Sequence, residues 1–60
     1  MLTEERFTKI LSILESMGSA TVQQLMTELG ASESTIRRDL NTLDAEGRLT
    51  KVHGGAISKS

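Results

Sequence analysis

Apolar positions recur at intervals of three and four through most of the chain and lose that period after Gly47. Phe7, Ile10, Leu11, Leu14 and Met17 fall on one stripe of a first helix closed by Gly18, and Ile13 widens that stripe at its edge, read as core. Thr3 ahead of Glu4 and Glu5 reads as its N-cap, with acid in the first turn against the positive end of the helix dipole. After the short link Ser19-Ala20, Thr21-Val22-Gln23-Gln24 has the form of a capping box and opens a second helix of about eight residues. Its stripe is Val22, Leu25, Met26 and Leu29, and a helix so short needs packing to persist. Gly30-Ala31-Ser32 is a tight turn with Ser32 as the next N-cap, and a third helix runs from about Glu33 to Glu46. Only Ile36, Leu40 and Leu43 form its inner arc, so most of its surface faces outward.

The tail from Arg48 to His53 has no helical spacing, and Gly54-Gly55 is a favoured two-residue hairpin loop. That loop pairs His53 with Ala56, Val52 with Ile57 and Lys51 with Ser58, which makes Val52 and Ile57 the apolar pair leaning on the helices. The expected fold is mainly α with a small β-hairpin: a three-helix winged helix-turn-helix over residues 1–57. The helix-turn-helix occupies about 20–46 and the wing about 48–58, with 58–60 starting a linker.

In this layout the third helix enters the DNA major groove and the second crosses the backbone. At about 100° per residue, Ser34, Arg38, Asn41 and Ala45 lie opposite the inner arc, with Arg37 on one flank and Thr35 on the other. Arginine can bond two acceptors of a guanine and asparagine can do the same on an adenine, while serine and threonine serve bases or phosphates. Thr21 and Ser32, at the starts of the second and third helices, present helix amides to phosphates. Lys51, His53 and the amides of Gly54 and Gly55 extend the surface onto the wing. Glu33 and Asp39 flank the buried arc, and Asp39 is expected to pair with a neighbouring arginine or the wing. Asp44 and Glu46 stand near the C-terminal end of the helix.

Composition narrows the classes. Sixty residues with 37% hydrophobic content suffice for one core, although a chain this short hides only roughly 60% of the surface it exposes when unfolded. With no cysteine and a single histidine, His53, neither a disulfide framework nor a zinc site can be assembled, and no metal or cofactor is expected. No apolar run approaches the roughly 20 residues of a membrane span, and the N-terminus lacks the order of a signal peptide, so the expected location is cytoplasmic. One histidine beside a glycine turn and scattered serines make no catalytic arrangement, so no enzyme activity is expected.

A net charge of −1 runs against nucleic-acid binding. Position matters more than the total: residues 1–30 carry two basic and four acidic groups, residues 31–60 five basic and four acidic. The alternative function is a winged-helix protein-interaction or RNA-binding module, although no surface aromatic is available for base stacking.

The run Ser32-Glu33-Ser34-Thr35-Ile36-Arg37-Arg38-Asp39-Leu40, preceded by Arg6, Ile10 and Leu14 and followed by Gly47, Leu49 and His53-Gly54-Gly55-Ala56, resembles the N-terminal DNA-binding domain of the DeoR family of bacterial transcription regulators. The resemblance covers about Leu2 to Ile57. It implies sequence-specific binding of a double-stranded DNA operator by a repressor of a sugar or nucleoside catabolism operon. It also implies a larger C-terminal domain that senses a phosphorylated sugar-type effector and a homo-oligomeric parent; for the isolated reading domain the oligomeric state is left open, a monomer being one of the states it can take.

Overall fold

The stripes read from the sequence converge on one core. In the computed structural model, which describes residues 1–59, three helices and three short strands follow one another. They are α1 (Thr3–Met17), β1 (Ser19–Thr21), α2 (Val22–Leu29), α3 (Glu33–Ala45), β2 (Leu49–Val52) and β3 (Gly55–Ser58). Ile10 and Leu14 of α1, Leu25 of α2, Ile36, Leu40 and Leu43 of α3, and Leu49 of β2 are fully buried against one another. Phe7, the one aromatic side chain, closes the core near the start of α1. The capping box on α2 forms as expected: Gln24 N–H donates to Thr21 Oγ1 at 3.0 Å and Thr21 N–H to Gln24 Oε1 at 2.8 Å.

Two details of α1 differ from expectation. Its N-cap is Leu2 rather than Thr3, because the Glu5 carboxylate reaches back to accept the Leu2 N–H at 2.9 Å and Thr3 becomes the first helical residue. Met17 is exposed rather than core, since the cleft between α1 and α2 is open beside its last turn. Ile13 is partly buried against the core, in keeping with its place at the edge of the stripe.

The β-structure is larger than a hairpin. Ser19–Thr21, read as link and cap, forms β1 and pairs antiparallel with β3, so the sheet has the order β1-β3-β2. The hairpin register is also shifted: Val52 faces Gly55, Lys51 faces Ala56 and Thr50 faces Ile57, leaving His53-Gly54 as the loop. The pairing is offset by two residues, so Val52 and Ile57 still share one face of the hairpin. That face is the outer one: Leu49 and Ala56, on the other face, enter the core, while Val52 and Ile57, expected to be the inward pair, face outward at 37% and 43% exposure.

The two adjacent glycines explain the shift. Gly54 takes the left-handed φ of 78° that the loop needs. Gly55 instead lies buried in the central strand, where a Cβ would collide with the Ala20 carbonyl oxygen and sit 3.0 Å from Thr21 Cα. Only a residue without a side chain lets β1 close on β3 there. Ser58 ends β3, Lys59 follows it, and Ser60 of the expected linker lies outside the described residues.

These glycines should respond differently to substitution. Gly54→Ala has open space but an unfavourable φ and is expected to cost about 1 kcal/mol, whereas Gly55→Ala forces backbone apart and should cost about 3 kcal/mol. Urea unfolding of both variants checks the order; equal losses would contradict the close approach of β1.

Candidate nucleic-acid interface

The outer face of α3 is assembled by what its inner face must do. Ile36, Leu40 and Leu43 are completely buried, which points Ser34, Arg37, Arg38 and Asn41 to solvent; Thr35 is half-buried. Ser32 caps the helix: its Oγ accepts the Thr35 N–H at 3.3 Å and donates to Thr35 Oγ1 at 3.0 Å, with Ser34 Oγ 3.3 Å away. The helix thus begins in a cluster of three hydroxyls, followed by two arginines.

Asp39 does not flank the buried arc but lies within it, 3% exposed. Its partner is neither of the adjacent arginines nor the wing but Arg6 of α1, which donates through Nε to Oδ2 at 2.5 Å and through a second guanidinium nitrogen to Oδ1 at 3.1 Å. The same guanidinium reaches the Met1 carbonyl and the Thr3 hydroxyl. Hydrogen bonding to Asp39 raises the Arg6 pKa, with attraction to the carboxylate adding to it and partial desolvation opposing it. A raised basic pKa contributes stability that is complete below the unfolded value and is lost only as pH rises past the folded one, far into the alkaline range. Arg6 therefore serves the fold throughout neutral pH. Its position one residue before Phe7 was the available signal, since a carboxylate between Ile36 and Leu40 demands a cation from another element.

The remaining acids near α3 are also engaged. Glu33 accepts from Arg37 Nε at 2.7 Å across one helical turn, Glu46 pairs with Arg48 at 3.4 Å, and Asp44 Oδ1 accepts the backbone N–H of Lys51 at 3.0 Å. Arg38 and the Lys51 ammonium form no ion pair among the described residues. The exposed Arg37–Glu33 pair is held weakly in water, so Arg37 can exchange Glu33 for another anion at little cost.

On the wing, His53 is exposed at the loop and Gly54 is half-buried, its carbonyl accepting the Val22 N–H at 2.8 Å and tying the loop to the start of α2. Thr21, the cap of α2, is exposed close to this junction. Gly55 does not share the exposed surface expected for it: it is buried in the sheet, and its part is to let β1 and β3 meet. Sequence reasoning missed Arg6 and Asp44, because both act through partners on other elements.

Among the described residues no group of three or more His, Asp or Glu side chains could hold a metal ion, and no helix is long and apolar enough to cross a membrane. An open cleft of about 600 Å³ between α1 and α2 is lined by Ile13, Met17, Gln24, Thr27 and the carboxylate-bearing Glu28 among others.

A family model described as the DeoR-like helix-turn-helix domain matches residues 6–60. The chain belongs to this DeoR-like helix-turn-helix family. It is 48% identical over 60 residues to a protein of Bacillus subtilis named as an uncharacterized HTH-type transcriptional regulator FruR, covering all of this chain and 24% of that protein. It is 45% identical over 56 residues to the lactose phosphotransferase system repressor of Lactococcus lactis, covering 93% of this chain and 22% of the repressor. The HTH-type transcriptional regulator UlaR of Escherichia coli is 41% identical over 56 residues, with the same coverage. The chain thus spans about a quarter of the length of the curated relatives it matches. No solved structure matches it.

Within this DeoR-like domain the buried pair is expected to govern stability. Asp39→Asn leaves Arg6 without a counter-charge and should lower Tm by roughly 10 °C. The double variant Arg6→Met/Asp39→Leu, which removes both charges together, should recover most of that loss. Thermal unfolding followed by circular dichroism checks both; an unchanged Tm for Asp39→Asn would show that the pair contributes nothing.

Proposed function

We propose that this chain is the DNA-reading domain of a transcriptional regulator and binds double-stranded DNA sequence-specifically. On this reading α3 enters the major groove and the β2–β3 hairpin, the wing, follows the adjoining backbone or minor groove. The observation that carries it is the division of α3 into two faces, one buried in the core and one presenting Arg38, which forms no ion pair among the described residues, beside Ser34 and Asn41. These three residues stand nearest the bases, where arginine reads guanine and asparagine reads adenine. Arg37 and Thr35 contact bases or backbone. The starts of α2 and α3, marked by Thr21 and Ser32, face phosphates, and Lys51, His53 and Gly54 carry the contact onto the wing.

Relatives named as transcriptional regulators, one of them a lactose phosphotransferase system repressor, support a repressor of a sugar or nucleoside catabolism operon. Because the chain matches about a quarter of those proteins, we assign the phosphorylated sugar-type effector and most oligomer contacts to sequence outside these sixty residues. The role of the domain itself is binding without catalysis, in the cytoplasm, where a bacterial operator lies.

Selection of bound sequences from random duplex DNA at two salt concentrations tests the assignment. It should enrich one motif, with affinity falling as salt rises. Recovery without sequence preference, or tighter binding of single-stranded RNA at the same salt, would refute it. On the enriched site, Arg38→Ala is expected to cost roughly 1–3 kcal/mol and to relax preference, whereas Lys51→Ala should weaken all duplexes alike and reduce the salt slope by about 0.9. Equal losses on specific and random duplexes would remove Arg38 as a base reader.

A further inference from the structure

Asp44 sits on the last turn of α3, exposed, and its two oxygen-bearing groups do different work. Its backbone carbonyl accepts the Gly47 N–H at 2.9 Å, forming the turn that leads out of the helix. Its carboxylate leaves the helix axis to accept the Lys51 N–H at 3.0 Å. That N–H belongs to β2, an edge strand whose other side pairs with β3. Because Val52 and Gly55 close the hairpin, the Lys51 amide points away from β3 and toward α3. Leu49 anchors the beginning of β2 in the core, and the Arg48 N–H bonds the Leu43 carbonyl at 2.9 Å. Beyond Leu49 the Asp44 carboxylate is the side chain of α3 that hydrogen-bonds β2. On the opposite flank the wing loop is held through Gly54 and Val22.

We propose that Asp44 is a positioning residue for nucleic-acid binding: by clamping the main chain at Lys51 it sets the angle between the recognition helix and the wing, and so the place where the Lys51 ammonium meets the DNA backbone. This deepens the DNA-binding reading and rests on it. Loss of the Asp44 side chain is then expected to act opposite to simple electrostatics. Removing a carboxylate from a surface that approaches phosphates should tighten binding by reducing repulsion. Removing a clamp should loosen it.

The test compares Asp44→Ala with Asp44→Asn in the 60-residue chain on the duplex enriched by selection and on a random duplex, each at several salt concentrations. Asparagine keeps an acceptor for the Lys51 N–H and removes the same charge. Asp44→Ala is expected to weaken both duplexes by roughly fivefold and to lower the salt slope by about 0.9, as if one phosphate contact were lost, while Asp44→Asn binds at least as tightly as the parent with its slope intact. Amide hydrogen exchange in the free protein should accelerate at Lys51 in Asp44→Ala and stay slow in Asp44→Asn, which establishes the clamp independently of DNA. Equal or tighter binding by Asp44→Ala with an unchanged slope overturns the positioning role. Failure of the parent chain to bind either duplex overturns the DNA-binding reading instead.

Discussion

The ion pair between Arg6 and Asp39 is the interaction on which the rest of the molecule depends. It places a carboxylate inside the arc by which α3 packs on the core and satisfies it bidentately from α1, 33 residues away. An apolar residue at that position would pack, but it would also let α3 roll, since an arc of three aliphatic side chains specifies rotation poorly. A two-pronged charged hydrogen bond has direction. It therefore fixes which residues of α3 look outward, and the orientation of Arg38, Ser34 and Asn41 follows from a contact on the reverse of the helix.

The same principle resolves the charge balance. A net charge of −1 is unpromising for a partner made of phosphates, yet the four acids of residues 31–60 are each occupied. Asp39 holds Arg6, Glu33 holds Arg37, Glu46 holds Arg48, and Asp44 holds a main-chain amide of the wing. Two of these contacts are structural ties between elements, and two are exposed pairs that a stronger anion can replace. Among the described residues from 31 onward, the charged side chains left without an ion pair or hydrogen bond are cationic: Arg38 on the helix, Lys51 on the wing and Lys59 beyond it.

Much of this is legible in the sequence, for reasons that differ by element. The three helices declare themselves because each repeats its apolar spacing several times and carries a recognisable start, such as the reciprocal Thr21 and Gln24 box. The outward face of α3 follows from the same periodicity. β1 was hidden, since three residues cannot display a period and their partners lie more than thirty positions away. The hairpin register was misread for a related reason: Gly54-Gly55 satisfies a turn locally, while the demand that decides the register, room for the Ala20 carbonyl beside Gly55, comes from a strand the sequence does not announce. Asp39 is half visible, as its spacing from Ile36 and Leu43 places it on the flank of the buried arc, but its full burial depends on a partner from another helix. Asp44 gave no signal, because its role is a bond to a backbone amide.

On the proposed reading the outer face of α3 and the wing form one nucleic-acid interface whose aim is set from behind. Amide chemical shifts of the chain, followed as a selected duplex is titrated in, map that interface residue by residue. The largest changes are expected on Ser32 to Asn41 and on Lys51 to Gly54, with α1 from Ser12 to Met17 silent. Changes concentrated in the cleft between α1 and α2, with Arg38 and Lys51 unmoved, would contradict it.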